Sequence, residues 1–535
     1  TLDPSPRLVV APVLGALAVA GLAKWAPIIR GHGIPEAMEA ILRQQSRIAP
    51  RTAVAKPLSA AIAIGTGGPF GAEGPIIATG GALGSIVGQL LHITADERKT
   101  LLAAGAAAGM AATFGSPVAA VLLAVELLLF EYRPRSVVPV ALAAATATAV
   151  RIALVGSAPV FTIPTLSQPG GAALATYALL GAVVGLAAVF VTRVCYAIED
   201  AFDHLPIHWM WWPALGAVVV GVIGYVEPRT LGVGYSNIDA ILSGTIAGRA
   251  LVFLVLLKFI SWAVYLGSGT SGGTLAPLFT IGGGLGAALG AAAAVFLPEL
   301  GVDPHVAALV GMAAIFAGAS HALLASVVFA FETTRQPMGL LPLLAGCSAA
   351  YLVSLLLMRN SIMTEKLARR GTRIRTEYEV DHLTHVLVRD AAATDVVTVS
   401  AMDSLGRVRA WLRSRVEGSG HQGFPVVDDA GHLLGVVTRR DLLDPAYEDT
   451  LRIAGLVGRA PAVVYEDNTL REAADHMVDE GVGRLPVVSR EDPRVVIGIV
   501  SRSDLLSAHR TRLDAAHQRQ PPRGRVPERE MEGVV

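Results

Sequence analysis

Charge is scarce in this 535-residue chain. Only 16% of its residues are Asp, Glu, Lys or Arg, 53% are hydrophobic, and the mean hydropathy is +0.55. That composition excludes an ordinary soluble enzyme and marks a membrane protein, at least in part. Acidic and basic residues balance at a formal net charge of zero, which leaves no basic excess for nucleic acid and no acidic excess for a solvating tail. Cysteine is nearly absent: Cys195 and Cys347 lie far apart in apolar surroundings, match no metal-ligand spacing and read as buried packing residues, so no metal site is expected. HExxH and paired aspartates in apolar segments are also missing, which argues against an intramembrane enzyme. The opening residues, TLDPSPRL, carry no secretory signal and no initiating methionine, so upstream residues, with room for a further membrane helix, are expected.

Long unbroken apolar runs are few. Segments such as 8–22, 173–191, 213–226 and 340–358 recur up to about residue 360, but several are shorter than the roughly 20 residues that span the hydrocarbon. Glycine interrupts many of them, a pattern of helices that stop inside the membrane. The segment 359–375 carries six Lys/Arg, which by the positive-inside rule places it and the remainder of the chain in the cytoplasm. From about residue 380 the chain reads as a soluble α/β domain, and 509–535 as a disordered polar tail.

Within the run from Pro57 to Ala95 the only charged residue is Glu73, ringed by glycines and followed by Pro75. A bare carboxylate in an apolar phase costs several kcal/mol, so this one is expected to be functional or to lie in a watered cavity. Sliding the chain by 202 places lays 65–88 over 267–290, with Gly65, Gly67, Gly71, Pro75, Gly80, Gly81, Leu83, Gly84 and Gly88 on identical residues. At the same offset 109-GMAATF-114 falls on 311-GMAAIF-316, and the copies run on to Glu126 and Glu332, read as structural acceptors for backbone N–H groups. Near the start of each copy 31–42 resembles 232–242 with one residue missing.

A duplicated membrane domain predicts a site at the repeat interface, near the midplane, where broken helices aim their ends at a substrate. Unpaired N–H groups and the positive end of the helix dipole favour an anion there, and proline suits a first helical turn. Three half-helix starts fit: Gly31-His32-Gly33-Ile34-Pro35, Gly71-Ala72-Glu73-Gly74-Pro75 and Gly273-Thr274-Leu275-Ala276-Pro277.

In this order, inside a duplicated apolar frame, the three pentapeptides resemble the anion-binding motifs of the CLC family of chloride channels and proton/chloride antiporters, across essentially the whole membrane half. The resemblance implies a polytopic α-helical fold with an inverted internal repeat, a homodimer with one pathway per subunit, and Glu73 as a gating glutamate that competes with the permeating anion. It implies that the amides of Thr274 and Leu275 hold the central anion. Four departures stand out. His32 replaces an anion-coordinating serine, Ala72 replaces a basic residue, and Met363 falls where the family places an anion-coordinating tyrosine. Leu127 stands where antiporters carry an internal proton-relay glutamate, with Glu131 as a substitute relay or, alternatively, as the partner of Arg133 or Arg135. Loss of that relay leans the reading toward voltage-gated, channel-like conduction; the alternative is a proton-coupled chloride or fluoride antiporter with a non-standard relay.

A second repeat fills 386–508, each copy offering an amphipathic helix, a strand, a polar turn, a strand reading GVVT or GIVS, and a helix begun by an acid. It resembles a tandem pair of CBS domains, and the resemblance extends to adenine-nucleotide contacts at Thr438 with Asp441 and Ser501 with Asp504. Helix N-capping explains the same spacing without a ligand. The expected organisation is a transport domain over 1–360, a basic linker over 361–385, CBS copies over 386–450 and 451–508, and the tail 509–535. No cofactor is required; the expected partners are chloride or another small anion, protons in the antiport reading, membrane lipid and a second subunit, in a bacterial plasma membrane with the CBS pair in the cytoplasm.

Overall fold

The computed structural model describes residues 5–166, 168–372, 382–414 and 416–517, with the side chains of 512–517 excepted. The chain separates into two units, Thr1–Tyr378 and Glu379–Val535. Among the described residues of the first, seven helices are long and apolar enough to cross a membrane: Arg7–Trp25, Pro134–Val155, Gly171–Asp203, Trp209–Val226, Gly248–Gly267, Leu275–Phe296 and Pro337–Leu357. Between them lie the shorter apolar helices Pro117–Leu129, Pro304–Ser320 and Leu323–Thr334.

The duplication seen in the sequence is a duplication in space. Helices Glu73–Leu90 and Ala95–Phe114 pack with Gly80 against Gly105, so closely that a Cβ on either would run into the other's carbonyl oxygen. Their counterparts Leu275–Phe296 and Pro304–Ser320 approach as closely, one turn along, with Gly282 against Gly311. Small residues at such crossings let two backbones approach in a medium where apolar packing replaces the hydrophobic effect. Gly71 and Gly273, equivalent in the two repeats, exchange both backbone hydrogen bonds with each other, at 3.1 and 2.8 Å. An antiparallel bridge between equivalent residues is what a two-fold axis passing between them produces. The two acids at the ends of the repeats are reciprocal caps. Glu126 accepts from the amides of Leu324 and Ala325, both at 3.0 Å, at the start of Leu323–Thr334. Glu332 accepts from Val118 at 3.1 Å and Ala119 at 2.9 Å, at the start of Pro117–Ala124.

The stretch expected to be a linker is not one over its first dozen residues. Ile362, Met363 and Leu367 are buried in the core of the membrane unit, and the short helix Glu365–Arg369 turns its cations to acids of that unit. Lys366 pairs with Glu36 at 3.0 Å, Arg369 with Asp200 and Arg370 with Glu39. Residues 373–381 of that linker lie outside the described residues.

In the second unit, strands β1 (Val399–Ser400), β2 (Gly423–Val427) and β3 (Leu433–Thr438) form a sheet in which β1 is parallel and β3 antiparallel to β2. Strands β4 (Val464–Tyr465), β5 (Arg484–Val488) and β6 (Val496–Ser501) repeat it, down to a bulge at the same place in the middle strand. The cores are exchanged. Ile453, with Leu451, Leu456 and Val457, packs in the first core, while Val388, with Leu383, Val386 and Ala391, packs in the second. The boundary at 450/451 therefore divides the chain but not the cores. Helix Arg502–His517 runs into the stretch expected to be disordered, as the Ser501–Asp504 cap starts it; 518–535 lie outside the described residues.

Candidate functional site

The three pentapeptides meet. Gly74 touches the carbonyl oxygen of His32 so closely that a Cβ there could not fit, and Gly33, at φ +97°, leaves no room for one beside the carbonyl of Gly74. The Gly71–Gly273 bridge joins the second motif to the third, and Gly31 donates to the carbonyl of Thr270 at 2.9 Å. Ile34–Arg43, Glu73–Leu90 and Leu275–Phe296 all begin here, with Pro35, Pro75 and Pro277 in their first turns. No side chain caps Glu73–Leu90 at Ala72 or Leu275–Phe296 at Thr274, so their first-turn donors, those of Leu275 and Ala276 included, face the site. The first start differs from expectation: Glu36 accepts from Gly33 N at 2.8 Å, so one of its donors is already taken.

Glu73 is completely buried where the second and third helix starts converge. Its Oε1 accepts from the hydroxyl of Tyr235 at 2.9 Å, and the backbone N–H of Ala276 lies in reach of the carboxylate. A carboxylate held by helix-start amides occupies a position suited to an anion. Gly71 is the residue that makes room, since a Cβ there would overlap Oε2. Over the site stands an aromatic cluster: the Tyr235 ring meets Phe114 at 5.8 Å and Phe161 at 6.2 Å, edge to face, and Phe329 bridges Phe114 to Phe279. Nine buried side-chain polar atoms in the described residues have no hydrogen-bond partner, and three belong to the motifs: His32 Nδ1, Glu73 Oε2 and Thr274 Oγ1. Such atoms are rare enough to ask for a reason, and a site that receives a hydrated ion supplies one.

Two lysines that sequence reasoning passed over frame the site. Lys258, fully buried on Gly248–Gly267, donates to the carbonyls of Thr230 and Gly232, both at 2.9 Å, and lies within electrostatic range of Glu73. Lys56, on Arg51–Gly65, donates to Ile29 and Gly31, both at 2.8 Å. They stand at the same 202-residue offset as the glycines, the signal that could have found them.

The remaining positions are apart from Glu73. Met363 is fully buried and brings no hydroxyl; Tyr196, from Gly171–Asp203, donates to the neighbouring carbonyl of Ile362 at 2.8 Å. Leu127 is buried in the π-helical turn Val125–Leu129. Glu131 accepts from Ser136 Oγ at 2.7 Å and pairs with Lys99 and Arg133, each at 3.7 Å. A cavity of about 590 Å³ enters the unit elsewhere, lined by Gly31, His32, Glu36, Glu199 and Lys366 among others. In the second unit Thr438 and Asp441 form a capping box, with Thr438 Oγ1 donating to Asp441 Oδ2 at 2.6 Å, and both line a cavity of about 330 Å³ with Arg459 and Arg484. Ser501 and Asp504 form the matching cap and do not line it.

A family model described as voltage gated chloride channel matches residues 14–355, and CBS domain models match 388–446 and 453–510. The H+/Cl− exchange transporter ClcA of Vibrio parahaemolyticus is 32% identical over 359 residues, 65% of this chain and 76% of that protein. A crystal structure of a slow cyanobacterial Cl−/H+ antiporter aligns at 25% identity and a TM-score of 0.63, over 69% of this chain and 88% of the other. A eukaryotic CLC transporter matches in fold through both units, covering 93% of this chain and 89% of its own at a TM-score of 0.58 and 23% identity. With a duplicated membrane unit, three converging helix starts and a tandem CBS pair, the chain belongs to the CLC family of anion-transporting membrane proteins.

Proposed function

We propose that the chain exchanges chloride for protons across the membrane and that Glu73 serves both ions. The observation that carries this reading is the placement of the Glu73 carboxylate at two uncapped helix starts, where chloride would also be stabilised. Anion and carboxylate compete for the same donors. Protonation removes the carboxylate's claim on them, so that the neutral side chain leaves the position, chloride enters, and the proton departs with the side chain to the opposite side. The relatives named as H+/Cl− exchangers support exchange over the channel-like conduction to which Leu127 alone leans. Glu131, held by Ser136, Lys99 and Arg133, is committed to the start of Pro134–Val155 and takes no part in this reading.

The cavity at His32 is lined by Lys366 and Arg370 of the basic segment, so by the positive-inside rule it opens to the cytoplasm. The reading takes the protein as a homodimer in a bacterial plasma membrane, each subunit with its own pathway, and the CBS pair as a cytoplasmic module. The Thr438–Asp441 cavity, with two arginines for phosphate, would take an adenine nucleotide.

Flux from proteoliposomes holding a chloride gradient, with external chloride and pH recorded together, tests exchange. Protons driven against their own gradient as chloride runs down are expected, and Glu73→Gln should abolish them. Chloride release that needs a potassium ionophore and carries no protons would replace exchange by the channel reading. Wild-type flux and coupling in Glu73→Gln would remove Glu73 from the mechanism.

A further inference from the structure

Exchange, if that reading holds, requires a route for protons between water and a carboxylate that is completely buried. Leu127 and its neighbours in the π-helical turn are apolar and provide none. The 590 Å³ cavity does better, since it is lined by polar groups and ends at Gly31 and His32, whose backbone lies against Gly74. Its acids can be sorted by their partners. Glu36 caps Gly33 and pairs with Lys366; Glu39 is paired with Arg370; Asp203 is exposed at the end of its helix. Glu199 is half-buried and, among the described residues, its carboxylate has no hydrogen bond and no ion pair.

Glu199 shares a helix face with Cys195, Tyr196 and Asp203, the i, i+3 and i+4 spacing of one wall of the cavity. One turn along the helix, the Tyr196 hydroxyl holds the carbonyl of Ile362, whose backbone also interacts with the His32 ring. His32 is only 6% exposed, lines the cavity, and has Nδ1 without a partner. Glu199, Tyr196, Ile362 and His32 thus line one cavity with room for water molecules, and the His32 backbone at its end lies against Gly74 at the Glu73 helix start.

We propose that Glu199 loads the proton from the cytoplasmic side and that His32 passes it to Glu73, the pair standing in for the acid that Leu127 lacks. The Glu199 O–H breaks and its proton goes to His32 Nδ1; the imidazolium so formed returns to imidazole as a proton passes to the Glu73 carboxylate. The charges facing Glu199 are Lys366 and Arg369 from the basic segment, Asp203 from its own helix and Glu36 from Ile34–Arg43; those facing His32 are Glu36, Lys366 and Lys56.

The test uses the full chain in proteoliposomes and reads protons moved per chloride. Relative to wild type, the ratio should fall at least about tenfold in Glu199→Gln and in Glu199→Ser, stay near wild type in Glu199→Asp, and stay near wild type in Asp203→Asn, which changes an acid in the same cavity. A wild-type ratio in Glu199→Gln or Glu199→Ser, or equal uncoupling by Asp203→Asn, would overturn the assignment. A wild-type protein that moves chloride without protons would instead overturn the exchange reading on which this proposal rests.

Discussion

The loop before Ile34 and the loop before Tyr235 are equivalent in the duplication, and comparing them separates scaffold from chemistry. Each is pinned by one buried lysine that donates to two backbone carbonyls, Lys56 to Ile29 and Gly31, Lys258 to Thr230 and Gly232. Each passes through a glycine in the left-handed region, Gly33 or Gly234, into a short helix. Beyond that frame the copies diverge. The first carries His32 and Glu36 and opens to a polar cavity. The second carries Val233, Tyr235 and Asn237, with Tyr235 set among phenylalanines against Glu73. Glu73 itself faces Leu275 across the repeat. Duplication kept what builds the cage and abandoned identity in the side chains it carries, so one end meets a polar-lined cavity and the other an aromatic cluster.

The strongest way to break the comparison is to remove the lysines. Lys56→Met and Lys258→Met each orphan two carbonyls, three of the four belonging to buried residues, and should cost several kcal/mol, on the order of 1–3 per unmet group; melting temperatures in detergent should drop in both. A large loss in only one of them would mean that the frame is not shared. Tyr235→Phe sharpens the other half. It removes one hydrogen bond to a carboxylate, worth about 1.5–3 kcal/mol, and keeps the ring packing, so chloride turnover should rise roughly tenfold if the bond holds Glu73 in the anion position. Turnover equal to wild type would assign the hydroxyl to packing.

Much of this site is legible in the sequence, for a physical reason. Glycine and proline at helix starts, and one carboxylate in an apolar run, have few structural excuses, so the pentapeptides and Glu73 stand out. Glu126 and Glu332 are legible as acceptors because nothing else in their apolar surroundings could satisfy an acid. Lys56 is not, because a lysine beside an apolar run reads as its boundary and the run from Pro57 begins next to it, whereas Lys258, inside the apolar run 250–267, is as exceptional as Glu73 and open to the same argument. Tyr235 is hidden by the looser match of 232–242 to the first copy. The segment from 361 reads as a linker because its basic residues dominate composition, whereas each of Lys366, Arg369 and Arg370 is spent on an acid of the membrane unit. The exchanged cores of the CBS pair are invisible to any linear reading of a repeat, since each copy completes the other.

The smallest expected effect lies in that pair. Thr469 and Glu472 form a capping box at the start of Leu470–Asp479, and the hydrogen bonds from Thr469, backbone first, hold the Glu472 carboxyl below its ordinary range. A depressed carboxyl stabilises the fold above its unfolded-state pKa, and that contribution fades as pH falls from about 4.3 through the lower folded value. Glu472→Gln keeps an acceptor for the capping box but should remove this pH dependence, seen as a shallower acid limb in thermal melts; an unchanged limb would place the effect elsewhere.

The bridge between Gly71 and Gly273 has a mechanical consequence. Two hydrogen bonds tie the halves of the membrane unit at the very point about which they would have to rock. Because each glycine is both donor and acceptor to its twin, prising one half away breaks both bonds at once, next to the Glu73 carboxylate. A seam placed there turns the backbone into a fixed frame and leaves the travelling to side chains. In the exchange reading proposed above, the stroke of the protein is then no longer than the swing of Glu73.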